Sequence, residues 1–296
     1  MKPIFTIILI AIIAMFFVSC EKEPQHSGLP TSDSLDITVF KKKISGYVQK
    51  GPFNNGTDIT IFELNNMLSQ TGNSFNTQIS NNLGLFELNS VSLRSIFIEI
   101  KATGFYYNEV ADENSAAQLT LYAISDLTNR SDINVNILSH LEKQRVQYLI
   151  SQNYSLRDAK RKAQREILNI FKFQKEDILN SELLNISENT DDNAILLAVS
   201  VILQGNRTVA ELSELLANII TNIKEDGTLD DESIGSDLVN HAKVLNLTEI
   251  RENIENRYSD LEIDADIPDF ETYVNLFLDS AGYEVTSLIT YTNYGI

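Results

Sequence analysis

The sequence predicts an α+β fold, in which an antiparallel β-sandwich at residues 44–127 is followed by an all-α helical domain at residues 132–280. Two patterns predict this division. Before residue 127, short runs of alternating apolar and polar residues are separated by turn residues, as is typical of a sandwich. After residue 132, apolar residues recur every three or four positions, as is typical of amphipathic helices.

The predicted strands of the first domain are short and rich in β-branched and aromatic residues. The third and fourth strands flank Ser80–Gly84, a turn with glycine at the position that needs a positive φ angle. The six predicted strands are Ile44–Gln49, Thr57–Leu64, Phe75–Ile79, Leu85–Leu88, Ser95–Lys101 and Gln118–Ile124.

The helices are predicted from apolar stripes and capping residues. Thr208-Val-Ala-Glu211 is a capping box, and Ser155-Leu-Arg-Asp158 is a related start signal. Ala194–Leu203 is apolar nearly all round, so we expect this helix to be central. The tail, residues 281–296, is again predicted to be β-like. The seven predicted helices are Val135–Gln152, Ser155–Phe173, Ala194–Leu203, Thr208–Lys224, Ile234–Val244, Thr248–Ser259 and Pro268–Leu278.

An apolar run at Ile4–Val18 follows the basic Lys2 and predicts a signal peptide at residues 1–19. As a helix this run would be roughly 22 Å long, shorter than the ~30 Å of hydrocarbon in a bilayer. Its end, Phe17-Val-Ser-Cys20, resembles the lipobox of bacterial lipoproteins, although that motif usually has leucine where Phe17 stands. The alternative is an ordinary signal peptide followed by a chance cysteine.

The lipobox resemblance implies that Cys20 carries a diacylglycerol thioether, which would attach the protein to a membrane. Cys20 is the one cysteine in the sequence, so the exported chain has no thiol left for a disulfide and its fold relies on packing. Residues 20–43 are predicted to be a lipidated flexible tether. In this tether, Asp33-Ser34-Leu35 matches a short O-glycosylation pattern, which makes Ser34 a candidate modification site.

Several blocks of the chain resemble a family of uncharacterised lipoproteins from Gram-negative bacteria. In that family a carboxypeptidase-regulatory-like, transthyretin-type β-sandwich precedes a helical domain. No catalytic residues are established for it, so the resemblance implies a structural or binding module and not an enzyme. The matching blocks are Ser45–Phe53, Thr71–Phe75, Leu83–Glu87, Gly104–Val110, Asn134–Leu138, Asp192–Gly205 and Ile267–Phe270.

Composition narrows the function classes further. The formal net charge of −18 disfavours nucleic acid, whose phosphates would be repelled. The three histidines, His26, His140 and His241, are far apart, and the sequence has no zinc, P-loop, dinucleotide or nucleophile-elbow motif. We therefore expect no cofactor. The remaining enzymatic interpretation is that Glu109, after Asn108, is a glycosidase-type acid, but the β-then-α order does not make the barrel of such enzymes.

Two other groups of residues are candidate sites. Phe105, Tyr106 and Tyr107 form either a glycan-contact patch or a turn that packs one face of the sandwich. Asp226 and Asp230 fit the middle of an EF-hand loop, but Lys224 and Ser233 occupy two ligand positions of that loop. A solvated turn between helices explains the second group equally well.

These observations lead to a hypothesis about function. We expect a non-enzymatic lipoprotein in the outer membrane, exposed at the cell surface, that binds glycan or protein partners. Glu21-Lys22-Glu23 resembles surface-export signals of some Gram-negative groups, although acidic residues after the cysteine also occur in retention signals. The alternative is an inward-facing periplasmic scaffold for an envelope protein complex.

Overall fold

The structure is a computed structural model that describes residues 39–283. The predicted signal peptide, Cys20, Ser34 and residues 284–296 of the tail lie outside the described residues. All the described residues belong to one compact unit.

The described residues form a mixed α+β structure, as predicted. A short 3-10 helix at Ser181–Leu183 lies between the second and third α-helices. The strands are β1 (Val39–Gln49), β2 (Asp58–Leu64), β3 (Gln70–Gln78), β4 (Leu85–Leu93), β5 (Phe97–Gly104), β6 (Tyr107–Asn108), β7 (Glu113–Asn114), β8 (Leu119–Asp126) and β9 (Val135–Asn136). The helices are α1 (Ile137–Ser151), α2 (Leu156–Ile170), α3 (Asp191–Gln204), α4 (Val209–Ile223), α5 (Glu232–Lys243), α6 (Leu247–Asp260) and α7 (Phe270–Ser280).

The strands form three sheets. A four-stranded sheet has the order β3-β2-β5-β8 and is antiparallel throughout. A three-stranded sheet has the order β4-β1-β9, and β6 pairs with β7. The β1–β9 pair is parallel, with Val48 opposite Val135, which differs from a purely antiparallel arrangement. Because β9 leads directly into α1, this pair joins the first helix to the first strand.

The first strand begins earlier than the sequence indicated. β1 starts at Val39, inside the segment 20–43 that we predicted as a tether. Its early residues pair with the second half of β4, where Val39 lies opposite Leu93, and the prediction had ended that strand at Leu88. Backbone pairing extends both strands through residues that lack a clear apolar alternation. The alternation alone therefore underestimates the length of these strands.

The capping predictions are confirmed. Thr208 and Glu211 form a reciprocal capping box at the start of α4, and the Ser155 side chain accepts from the N–H of Asp158. α3 is buried at every position from Asn193 to Gln204, which confirms its central place. A second capping box, Asn136 with Ser139, fixes the start of α1 immediately after β9.

Two hydrophobic clusters hold the strands and helices together. The larger one joins the inner sides of the sheets to most of the helices, so the strands and helices share a core. The smaller one covers one end of the outer face of the four-stranded sheet, where Leu64 and Ile124 pack against Val146 and Leu149 of α1 and Ala159 of α2. The other end of that outer face is left uncovered.

Among the described residues, no single helix is long and apolar enough to cross a membrane. α3 and α4 satisfy the length and composition criteria only as a pair, and that pair is bent by 114° at the break between them.

We expect truncation of α3 to destabilise the whole fold. Leu197→Ala should lower the free energy of unfolding by about 3 kcal/mol, because Leu197 is fully buried and its loss leaves a cavity. Chemical denaturation would measure the change. The matched control is Leu276→Ala on α7, where the side chain is 42% exposed and the cost should stay below about 1 kcal/mol. Equal losses in both variants would show that α3 is not the centre of the core.

Candidate functional site

The uncovered end of the four-stranded sheet presents two rows of mostly polar side chains, which we call the polar face. Strand alternation places these side chains on the side opposite the core, because Ile59 and Ile61 of β2 point inward and are buried. The register sets the rows, since Asp58 pairs with Gln78 and Thr103, and Thr60 with Asn76 and Lys101. The polar face consists of Asp58, Thr60, Asn76, Gln78, Lys101, Thr103, Thr120 and Tyr122.

Six of these residues line an open groove of about 640 Å³. Neighbouring side chains hold one another across the strands. Gln78 Nε2 donates to Asp58 Oδ1 at 2.7 Å, and Thr60 Oγ1 donates to Asn76 Oδ1 at 2.9 Å. These cross-strand contacts fix the amide and hydroxyl groups on a rigid floor while leaving further donors and acceptors facing the groove.

Helix α1 forms one border of the polar face at Tyr122. Lys143 Nζ lies 3.7 Å from the centre of the Tyr122 ring, and the His140 ring stacks on it with centroids 5.7 Å apart. Lys143 also pairs with Glu99 at 3.0 Å, which ties α1 to β5. Burial, with a smaller effect of Lys143, lowers the pKa of His140 to about 4, so its imidazole is neutral near pH 7.

The aromatic patch predicted from the sequence is wrong as a binding surface. Tyr106 is 0% exposed and Tyr107 5%, whereas Phe105 alone is open at 44%. The Tyr106 hydroxyl donates to Gln204 Oε1 at 2.9 Å, and the Tyr107 hydroxyl lies 2.7 Å from Asp112 Oδ1. The rings contribute apolar area to the core while the hydroxyls find polar partners, so the alternative interpretation as a packed turn describes this segment.

Asn108 and Glu109 behave differently from each other. Asn108 accepts a hydrogen bond from the N–H of Val110 at 3.1 Å, which is a local role. Glu109 is instead fully buried and lies 2.5 Å from Nζ of Lys50, which is also fully buried. A substrate has no access to Glu109 in this structure, so the glycosidase interpretation gains no support from it.

The Lys50–Glu109 pair lies where four parts of the chain meet, and we call this contact the buried junction. Lys50 follows β1 and Glu109 follows β6. Ser200 of α3 donates to the carbonyl oxygen of Lys50 at 2.8 Å and lies 3.2 Å from Glu109 Oε1. Asn253 of α6 donates to the carbonyl oxygen of Glu109 at 3.0 Å. The junction therefore links two loops of the sheet region to two helices.

Burial dominates the electrostatics of the junction. It lowers the pKa of Lys50, and the nearby Glu109 carboxylate offsets part of that effect. Burial and the Glu109 charge together raise the pKa of Tyr106, whose ring centre is 5.4 Å from Lys50 Nζ. Glu109 Oε2 is buried and accepts no hydrogen bond from any described residue.

The loop with Asp226 and Asp230 does not assemble a calcium site. Asp226 Oδ1 accepts from the N–H of Thr228 at 2.8 Å, and the N–H of Asp230 donates to Asn222 Oδ1 at 2.9 Å. Gly227 has φ +82°, as a tight turn between α4 and α5 requires. Within residues 39–283, no group of three or more His, Cys, Asp or Glu side chains is placed to hold a metal ion.

A second buried charged cluster was missed by the sequence reasoning. Lys160 of α2 lies 2.8 Å from Glu182 and 3.9 Å from Glu142 of α1, and Glu142 accepts a hydrogen bond from Ser181. Burial raises the pKa of Glu142 to about 7. The charge of Lys160 offsets only part of this effect, because Lys160 lies closer to Glu182 than to Glu142. Glu142 occupies a position within the apolar stripe of α1, a signal that could have revealed its burial.

Comparisons with known proteins do not add to this description. No protein-family model, curated protein or solved structure matches the chain.

We expect Glu142→Gln to stabilise the protein at alkaline pH. The folded-state pKa is raised from an ordinary 4.5 to about 7, so the folded chain binds more protons between these values and its stability falls as the pH rises through them. The variant lacks this penalty, so its advantage should grow from pH 5 to pH 8, to roughly 2 kcal/mol. Urea denaturation across pH would measure it.

The control for this prediction is Glu252→Gln, on an exposed position of α6. Its stability difference from the wild type should stay nearly constant with pH. A constant difference for Glu142→Gln as well would contradict the raised pKa.

Proposed function

We propose that this protein is a non-enzymatic envelope lipoprotein, held in the outer membrane by lipid on Cys20 and exposed at the cell surface, where it binds glycans. The polar face is the observation that carries the binding proposal. It is a broad, open and rigid surface whose groove is lined by hydroxyl, amide, carboxylate and ammonium groups.

The chemistry of the polar face suits a polyhydroxylated ligand. Each sugar hydroxyl both donates and accepts, so recognition needs donors and acceptors at fixed positions. Asn76 and Gln78 supply both, and Lys101 supplies a charged donor. Since the chain contains no tryptophan, and His140 and Lys143 already lie against the Tyr122 ring, we infer binding by hydrogen bonds more than by stacking.

We propose that a transthyretin-like sandwich is the scaffold of the polar face. Its support is the shared core between the two larger sheets, to which Ile44 and Phe86 contribute from one sheet and Ile61, Ile100 and Leu121 from the other. In a sandwich the inner faces pack together, which leaves outer faces for solvent or ligands. The uncovered polar face is such an outer face.

A periplasmic scaffold that holds a partner protein through its helices is the second candidate. It is favoured by exposed apolar side chains in the helical region, among them Leu179, Val244 and Leu276. Such side chains, where they cluster, mark protein contacts more often than sugar contacts.

Lipid anchoring is tested by removing the cysteine sulfur. Cys20→Ala should move the protein from the membrane fraction to the soluble fraction, because two or more acyl chains are needed for stable membrane binding and this variant can carry no thioether. Cell fractionation and immunoblotting would measure the shift. Ser19→Ala keeps a small residue before Cys20 and should stay in the membrane fraction. If Cys20→Ala stayed in the membrane fraction, the proposed lipid anchor on Cys20 would be contradicted.

Glycan binding is tested on the polar face itself. Replacing Thr60 and Asn76 together with alanine should weaken binding on an array of bacterial and host glycans by about tenfold or more, since each lost hydrogen bond contributes roughly 1 kcal/mol. Asn256→Ala, on an exposed position of α6, is the control and should bind like the wild type. If the wild type binds no glycan, or if the double variant binds equally well, the glycan proposal fails and the scaffold gains support.

A further inference from the structure

The buried junction has too few polar partners for an ion pair. A lysine ammonium carries three N–H donors, and a carboxylate offers about four acceptor positions. Among the described residues, Lys50 Nζ has a single hydrogen-bond acceptor, Glu109 Oε1 at 2.5 Å. Glu109 Oε2 has no donor, although it is buried. Buried ion pairs persist when further hydrogen bonds satisfy the remaining polar atoms, and these are missing here.

An amide would leave fewer buried polar atoms without a partner than the ion pair does. A secondary amide has one N–H donor and one carbonyl acceptor, so its needs are far smaller than those of two ions. Ser200 Oγ lies 3.2 Å from Glu109 Oε1, but its single hydrogen already donates to the carbonyl oxygen of Lys50 at 2.8 Å. Forming the amide from Oε1 would remove Oε2, the buried oxygen that lacks a partner.

We propose that Lys50 and Glu109 condense into an intramolecular isopeptide bond. The Lys50 ammonium first passes one proton to the Glu109 carboxylate across their contact. The Nζ lone pair then attacks Cδ, forming the Nζ–Cδ bond. The Cδ–Oε2 bond breaks, and Oε2 leaves as water with the transferred proton and one further proton from the amine. Oε1 remains as the amide oxygen. Nothing is oxidised or reduced, and no co-reactant is needed.

Two further features of the junction favour this step. Burial shifts Lys50 toward the neutral amine, which is the nucleophilic form. Gly51 allows a close approach, because a side-chain carbon there would lie 2.2 Å from the carbonyl oxygen of Tyr107 and 3.2 Å from Glu109 Oε2. Both reacting side chains are 0% exposed, so bulk water is excluded from the amide once it has formed.

The bond would give the chain a covalent cross-link that does not depend on cysteine. The sequence has one cysteine, so an internal disulfide cannot form. An isopeptide between residues 50 and 109 would close a loop that contains β2 to β6 and restrict the unfolded chain in the same manner as a disulfide. Unlike a disulfide, it would resist reduction.

Peptide mapping of the full-length protein purified from cells tests the proposal. Trypsin cannot cleave after an acylated lysine, so the bond predicts a branched product in which peptide 44–94 is joined to peptide 102–130. Its mass should be lower by one water than the sum of the two peptides. Tandem mass spectrometry would locate the link at Lys50 and Glu109. Detection of this product, complete or partial, supports the proposal.

Three variants complete the test. Lys50→Met and Glu109→Ala should each abolish the branched product, whereas Lys43→Met should retain it. Lys43 makes an ion pair with Glu87, and both side chains are nearly half exposed. This pair is therefore the solvent-exposed counterpart of the buried Lys50–Glu109 pair and serves as the control. Recovery of only the separate peptides 44–50 and 102–130 from the wild-type protein would overturn the proposal. A branched product that persists in Lys50→Met would overturn it as well.

Discussion

The contact between Lys50 and Glu109 is the constraint on which the rest of the structure depends. Both side chains are fully buried, and burying polar groups costs free energy unless each is held against a partner, so the surrounding chain must hold them in a defined position. Ser200 and Gln204 lie one turn apart on the same side of α3 and meet Lys50 and Tyr106, respectively. An otherwise apolar helix is thereby placed in one position against the loops of the sheet region.

The connection between strands and helices follows from the same region of the chain. Lys50 directly follows β1, whose last residues pair with β9, and β9 leads into α1 through the Asn136 capping box. The start of α1 is therefore fixed by the end of β1. Since α1 and α2 then cover one end of the four-stranded sheet, this connection also decides which end stays open as the polar face.

Local features of the fold could be predicted from the sequence, and contacts between distant residues could not. The capping box of Thr208 and Glu211 and the alternation in Asp58–Leu64 involve near neighbours, and both are confirmed. The burial of Glu109 depends on Lys50, 59 positions away, and that of Tyr106 on Gln204, 98 positions away. No local pattern encodes such partners.

The polar face is also a product of long-range pairing. Asp58, Asn76 and Lys101 belong to three strands, and only the register brings them to one groove. Each strand considered alone shows polar residues on its solvent side, which is what any exposed sheet shows. What distinguishes this face is that helices cover the rest of the same surface, a property of the assembled fold.

Strand β5 links the two main features of the molecule. It contributes Lys101 and Thr103 to the polar face, and the chain reaches Glu109 six residues after Thr103. The buried junction therefore anchors the segment that follows a strand of the groove floor. A floor that is already ordered before a ligand arrives would lose less conformational entropy on binding, so a rigid junction would favour the recognition that we propose for the polar face.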